Sequence, residues 1–363
     1  MDDSTNLQIK CPNCGSNRLV YNAETVALTC EHCGYNKDLP KEADQIQERA
    51  LSESYSLQDM PKGFEVETKV FHCNSCGSET SVGIETVNFN CPFCGSEQVN
   101  EAAVDRRVIR PSGVLPFTIT RKNALAKFKQ WLGKGLFTPN NLTKLASLDA
   151  IHGVYLPFWT FDAFTQSYWQ AMAGYYYYVS ENYRDSDGNV KTRQVRKVRW
   201  VPASGHYEHF FDDVLVVASH GVKQGLIQQI EPYDLEKVVN YDSQYLIGWD
   251  TEIYQKDLKQ GFGVADQIMD GYIRSACASR IPGDTYKNLH VQTRKEGLTF
   301  KHLLLPVWLA GYRYKEKIFQ FIVNGQTGKV AGKKPVSPWK VAIAVILGLI
   351  VIGAIIYFSE GQA

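Results

Sequence analysis

The sequence predicts an α+β protein with two small zinc-ribbon modules, a larger strand-rich two-lobed domain with an internal repeat, and one C-terminal transmembrane helix. Eight of the nine cysteines form four CxxC pairs, apolar aromatic segments recur after residue 100, and the chain closes in an uncharged apolar run. We expect ribbons at 1–38 and 63–100, a linker at 39–62, the two-lobed domain at 101–332, a tether at 333–340 and the transmembrane helix at 341–358.

The bulk composition is that of a globular protein. The chain has 363 residues, of which 44% are hydrophobic and 21% charged, and this length favours about two domains. The formal charge of +1 creates no general attraction for polyanions. The first residues, MDDSTNLQIK, lack the apolar core of a secretory signal. Paired cysteines without such a signal favour metal ligation in a reducing compartment over disulfides, which indicates the cytoplasm.

Each cysteine unit has the spacing of a four-thiolate metal site. Two residues between cysteines let one turn present both thiolates to one ion, and the intervening stretch has the length of a β-hairpin. Four thiolates saturate Zn²⁺, so the sequence predicts two structural zinc ions, one per unit, with iron as the alternative. The predicted ligands are Cys11, Cys14, Cys30 and Cys33 in the first unit, and Cys73, Cys76, Cys91 and Cys94 in the second.

The C-terminal run from Val341 to Phe358 carries no charge. As a helix it would be roughly 27 Å long, close to the thickness of the hydrocarbon core of a bilayer. A buried core helix is the alternative, and such helices usually have one polar face. Lysines precede the run and Glu360 follows it, so the positive-inside tendency predicts a single-pass cell-membrane protein with its N-terminal bulk in the cytoplasm.

The residues from 101 to 332 contain two similar segments. YLPFWTFDA (155–163) resembles LLLPVWLAG (303–311), and VLPFTITRKNALAKFKQWL and IEPYDLEKVVNYDSQYLIGW form a second similar pair upstream. This self-similarity predicts two related α+β halves. The tryptophans and prolines either pack in the core, which we favour because aromatic side chains bury large areas, or line a ligand groove.

A long hairpin is expected between these halves. The turn sequence DSDG joins predicted strands near Tyr175–Tyr183 and Val190–Trp200. A two-residue period places four cations on one face. This face could bind anionic lipid head groups, protect a solvated edge strand against aggregation, or bind nucleic acid, the last being least favoured. The four residues are Lys191, Arg193, Lys197 and Arg199.

The remaining motifs do not indicate catalysis. The segment VNGQTGKVAG (323–332) lacks the glycine spacing and the Ser or Thr of a phosphate-binding loop. His206 and His209 should point to opposite faces of a strand, so a shared metal with Glu208 and Asp212 is not expected. Cys277 has no motif around it and is expected to be buried. No nucleophile elbow, dinucleotide fingerprint or paired-carboxylate pattern occurs in the sequence.

The cysteine motifs CPNCGS…CEHCGY and CNSCGS…CPFCGS, the segment LLLPVWLAGYRYKEKIFQFIVNGQTGKV and the C-terminal apolar run together resemble a bacterial family of zinc-ribbon proteins of the transcription factor IIB type. The likeness covers most of the chain. It implies a membrane-anchored cytoplasmic protein whose eight paired cysteines bind metal. Some relatives are similar to the zinc-binding part of the primosomal helicase, and some are associated with membrane-stress operons that encode phage-shock-type coat proteins.

The sequence therefore predicts a non-enzymatic, tail-anchored cytoplasmic scaffold or adaptor that acts in a membrane-stress response. Its expected partners are proteins at the inner membrane face, including phage-shock-type coat proteins, and the lipid bilayer itself. A nucleic-acid-binding protein of replication or transcription is one alternative, which the glutamates around the second cysteine unit disfavour. An enzyme acting on lipids or envelope components is the other.

Overall fold

The protein consists mainly of antiparallel strands. The computed structural model describes residues 10–39, 46–51, 68–75, 79–83, 91–93, 96, 99–102, 109–135, 137–139, 151–184, 186, 188–314 and 317–360. Its strands in chain order are β1 Leu19–Asn22, β2 Ala27–Cys30, β3 Asn36–Asp38, β4 Arg49–Ala50, β5 Thr68–Cys73, β6 Glu79–Gly83, β7 Val99–Ala102, β8 Gly113–Val114, β9 His152–Arg184, β10 Val190–Val217, β11 Val239–Asn240, β12 Asp250–Glu252, β13 Thr285–Tyr314, β14 Lys317–Asn324 and β15 Val330–Gly332.

Two of the four described α-helices begin at a side chain that caps the first turn. The four helices are α1 Arg121–Gly133, α2 Gln224–Ile230, α3 Leu258–Ala278 and α4 Pro338–Glu360. Thr120 accepts a hydrogen bond from the third residue of α1, and Asp257 forms a reciprocal capping box with Gln260 at the start of α3. These side chains satisfy backbone N–H groups that a helix start leaves without partners.

Three long antiparallel strands form the centre of the fold. β9 pairs with β10 on one edge and with β13 on the other. Their apolar runs are buried on both faces, as expected for a central strand. Val154, Leu156 and Leu305 pack on one face with α2, while Tyr155 and Leu304 pack on the other face with α1. α3 covers a third cluster further along the long strands.

The two similar segments of the sequence do not form separate lobes. They pair antiparallel inside one sheet, where Leu156 lies directly opposite its counterpart Leu305. β12 pairs parallel to β9, and β8 pairs parallel to β13 in the equivalent register. The first residue of each short strand lies eight residues before the first residue of a helix, α3 or α1. The segment equivalent to the α1 region is therefore 250–271, and not 230–249 as the sequence comparison suggested. The predicted two-lobed arrangement is wrong because the halves share one sheet.

The two cysteine units are not self-standing modules. β1, β2 and β3 form a small sheet whose apolar side chains belong to the same core as α1. β5, β6 and β7 are continuous with the large sheet, because β6 pairs with β12. The predicted architecture of two separate small zinc-ribbon modules is therefore wrong. Residues 46–51 of the predicted linker also lie on the body, with β4 paired to β13.

The structure also contradicts the predicted transmembrane helix at 341–358. No helix in the described part of the chain is both long enough and apolar enough to cross a membrane. The predictions of a transmembrane helix and of a single-pass cell-membrane protein are therefore wrong.

Candidate functional site

The four cysteines of the N-terminal unit converge on one point. The Sγ atoms of Cys11, Cys14, Cys30 and Cys33 all lie within 4.8 Å of one another. Cys11 Sγ lies 3.5 Å from Cys33 Sγ, and Cys14 Sγ lies 3.8 Å from Cys30 Sγ. Zinc–sulfur bonds of about 2.3 Å in a tetrahedron separate the sulfurs by about 3.8 Å. The donor set and its dimensions fit a four-coordinate ion, so this cluster can hold a metal ion.

Two equivalent turns present the thiols. The Gly15 N–H donates to the carbonyl of Cys11 at 2.8 Å, and the Gly34 N–H donates to the carbonyl of Cys30 at 2.9 Å. Both glycines have φ near +70°, at +72° and +74°, a conformation that residues with a Cβ rarely adopt. This requirement explains why a glycine follows the second cysteine of each pair.

The thiols interact strongly with one another and with the backbone. A hydrogen bond from the Tyr35 N–H, followed by one from the Asn13 amide, lowers the pKa of Cys33 to about 6. At Cys14 the Ser16 N–H lowers the pKa, but burial and the neighbouring thiols outweigh it and raise the pKa to about 12. The opposite shifts arise because one thiolate in so small a space opposes the ionisation of the next. A cation would relieve this repulsion.

The second cysteine unit is described in part. Cys73 and Cys91 are buried in the core on the opposite face of the large sheet, and Cys76 and Cys94 lie outside the described residues. The Cys91 N–H donates to the Ser96 carbonyl at 2.9 Å, as the first cysteine of the N-terminal unit does to its serine. Among the described residues only one cysteine cluster can hold an ion, and the second ion stays a prediction.

The predicted hairpin is confirmed and forms a projecting arm. The pairing of β13 with β9 ends at Gly174, opposite Thr285. From there β9 and β10 continue to Arg184 and Val190 paired with each other. We call residues 175–184 and 190–199 the arm. At about 3.3 Å per residue it extends roughly 30 Å beyond β13.

The four predicted cations share one face of the arm. They lie opposite Tyr183, Glu181, Tyr177 and Tyr175 in a register without bulges. Lys197 pairs with the Glu181 carboxylate at 2.8 Å, and Arg193 lies 4.0 Å from it. This lowers the pKa of Glu181 and raises that of Lys197. This face is positively charged, because it has four cations and only the Glu181 carboxylate beside them. The cations are Lys191, Arg193, Lys197 and Arg199.

Tyrosines accompany the cations on both faces of the arm. Tyr177 and Tyr178 are exposed by 45% and 66%. The guanidinium of Arg196 lies 4.3 Å from the ring centre of Tyr176 on the second face. Arg193 contacts the ring of Tyr183 in the same way on the first. The arm therefore presents tyrosine and arginine together over both surfaces.

The histidines near this region do not form a metal site. His206 lies against Tyr168, whereas His209 lies against Tyr272 of α3. They point to opposite faces of β10, as predicted. Cys277 is fully buried on α3, also as predicted, and burial raises the pKa of its thiol.

Sequence reasoning missed a buried charged network at a bulge in the long strands. Asp162, Asp212 and Asp213 lie close together where β10 shifts register. Lys301 Nζ lies 2.7 Å from Asp213, and Asp162 accepts hydrogen bonds from the Asp213 N–H and from Thr299. Burial raises the pKa of Asp162. Lys301 supplies a positive charge to this network. Charged residues inside the apolar runs WTFDAF and TFKHLLL were the available signal.

A cleft of about 520 Å³ lies between the N-terminal sheet and the body. Trp249 and Trp308 line it, together with Asp250 and the first residue of α1, Arg121. Trp308 belongs to one of the repeated segments. Burial raises the pKa of Asp250 to about 6. The folded state therefore holds this proton more tightly than the unfolded state does, and its stability falls as the pH rises from about 4 to 6.

The chain is similar in sequence to a bacterial protein. No protein-family model matches it, and no solved structure matches it. A Bacillus subtilis (strain 168) protein, described as uncharacterized protein YdjG, is 29% identical over 350 residues, which cover 93% of this chain and 92% of that protein. The likeness extends over nearly the full length of both chains.

Proposed function

We propose that this protein is a non-enzymatic adaptor that binds an acidic surface of a partner protein through its arm. The observation that carries the proposal is the projection of the arm beyond β13 with exposed tyrosine and arginine on both faces. Tyr and Arg are enriched among the residues that contribute most to protein–protein binding. The excess of cations favours an acidic partner through charge complementarity.

The cysteine cluster has a structural role in this proposal. Zn²⁺ is the ion of choice, because four thiolates with these separations match its preferred tetrahedron and leave no open position for chemistry. The ion would fix β1, β2 and β3 against the body. A second zinc in the other cysteine unit, with Cys73, Cys76, Cys91 and Cys94 as ligands, would give two ions per chain. Metal analysis of the purified protein tests this count, and iron in place of zinc would be seen in the same measurement.

The adaptor proposal is tested with a variant in which the four cations of the basic face are changed to glutamine. A matched control changes four exposed cations elsewhere to glutamine, namely Arg18, Lys122, Lys129 and Lys259. Proteins captured by the wild type are identified, and the binding of each purified candidate is then measured. We expect a defined acidic partner that binds the wild type and the control equally and the arm variant at least about tenfold more weakly.

Two other results would overturn the proposal. Binding of the wild type to vesicles with anionic lipids, lost in the arm variant, would assign the basic face to lipid head groups. Binding to RNA or DNA that falls steeply with salt would assign it to nucleic acid. Equal binding of the partner by the wild type and the arm variant would remove the arm from recognition altogether.

A further inference from the structure

The cleft between the N-terminal sheet and the body carries an excess of negative charge. The acidic residues Asp250, Glu24 and Glu31 line it, against one arginine, Arg121, and one histidine, His152. Arg121 is directed to the protein itself, because its Nε donates to the carbonyl of Ile151 at 3.0 Å. The Asp250 side chain has no hydrogen bond or ion pair among the described residues. A carboxylate removed from water without a partner is costly, so the cleft favours a cation.

The aromatic lining of the cleft is mainly Trp249, which is half-buried, because Trp308 is only 3% exposed. The Trp249 indole N–H donates to the carbonyl of Tyr21 at 3.0 Å, and that of Trp308 donates to the carbonyl of Ile119 at 2.8 Å. Both N–H groups are therefore already used. The two rings lie 5.4 Å apart, nearly perpendicular to each other. The exposed part of the Trp249 ring can attract an ammonium group and the methylene chain attached to it.

We propose that this cleft binds an organic cation with two or more ammonium groups joined by methylene chains. One ammonium would pair with the Asp250 carboxylate, the chain would lie against the exposed part of Trp249, and a second ammonium would reach Glu24 on the β1–β2 turn. The volume of about 520 Å³ is within the range of small-molecule sites. The ammonium groups belong either to a free polyamine or to lysine side chains of a protein segment. The site is independent of the arm.

Spermidine and a trilysine peptide serve as the two probes for this site. Binding to the full-length, metal-loaded protein is measured by equilibrium dialysis at constant ionic strength. We expect saturable binding of at least one probe, weakened about tenfold or more by Asp250→Asn and a few-fold by Glu24→Gln. Glu296→Gln is the matched control, because Glu296 is an exposed acid on β13 that pairs with Arg294, and it should leave binding unchanged.

The outcomes separate the sources and decide the proposal. Tighter binding of spermidine identifies a free polyamine as the occupant, and tighter binding of trilysine identifies a protein segment. Asp250→Asn should stay folded, since it removes an unpaired buried charge, and a thermal melt verifies this. Binding that is equal in the wild type and Asp250→Asn, or that magnesium chloride abolishes at matched ionic strength, would overturn the proposal.

Discussion

Buried charge is the feature of single residues that matters most for the stability of this protein. Lys301 is 8% exposed, and its ammonium contacts Asp213 and Glu48. Asp162 adds a buried carboxylate beside Asp213, which is half-buried. Removing the lysine would leave negative charges in the core without compensation, and such losses are large.

Lys301→Met is therefore expected to lower the free energy of unfolding by about 3–5 kcal/mol. Lys295→Met is the matched control on the same strand. Lys295 contacts Asp266 and Asp270, whose side chains are 41% and 58% exposed, so its loss should cost about 1 kcal/mol or less. Urea unfolding of both variants measures the difference. Equal losses would show that the network does not depend on its lysine.

The chemistry of individual residues can be predicted from the sequence, whereas the residues that surround them in space mostly cannot. The spacing of four cysteines predicts a metal cluster because two CxxC turns and a hairpin define a local geometry. The meeting of Asp162 with Lys301 depends on strands separated by more than a hundred residues and on a bulge, which no local pattern encodes. The position of Asp250 in the cleft also depends on a long-range contact, because β1 and β2 pack over it.

Helix starts are the element whose stability the sequence determines most directly. Asp257 accepts a hydrogen bond from the Gln260 N–H at 2.7 Å, and the Gln260 side chain accepts one from the Asp257 N–H at 3.0 Å. Thr120 provides a single such bond at the equivalent position of α1. Both caps use residue types that favour helix starts. That the two caps occupy equivalent positions in the fold depends on strand pairing, which residue types do not determine.

Asp257→Ala is expected to reduce the free energy of unfolding by about 1–2 kcal/mol, because it removes the acceptor of the Gln260 N–H and with it one half of the capping box. Thr120→Ala removes the acceptor of the Asn123 N–H in the same way and should cost about 1 kcal/mol. Lys259→Ala, in the exposed first turn of α3, is the control and should change stability little. Chemical denaturation followed by circular dichroism compares the three. A larger effect at Lys259 would contradict the capping argument.

The arm was predictable as an element because its turn and its alternating pattern are local signals. The C-terminal apolar run was misread, since an uncharged sequence does not by itself determine what surrounds it. The cysteine units were wrongly predicted to be separate modules. Hairpin spacing predicts the thiol cluster, but the pairing of β6 with β12 is a long-range contact that spacing does not reveal.

At the scale of the whole molecule, metal removal tests how far the cysteine cluster supports the fold. The N-terminal sheet shares its core with α1 and the long strands, because Tyr21 packs against Tyr245 and Trp249. Loss of the ion should therefore also lower the stability of the core that lies outside the small sheet.

Cys14→Ser is expected to remove one metal equivalent per chain and to cost several kcal/mol, which for a protein of this size lowers Tm by roughly 10 °C. The fluorescence of Trp249 should change with it. Cys277→Ala is the control, because this thiol is distant from the cluster and its loss should leave metal content unchanged. Metal analysis and calorimetry give both readouts. Full metal content in Cys14→Ser would exclude the four-thiolate site.

The equivalent halves of the chain are interlocked. The Trp308 indole donates to the residue before the cap of α1, and the Trp159 indole donates to the residue before the cap of α3. Each helix thus secures the strand that follows the other helix. A half-length ancestor could complete this exchange with a second copy of itself, so the single chain has the internal arrangement of an intertwined homodimer. Separately expressed halves would then be expected to recognise each other before either is folded.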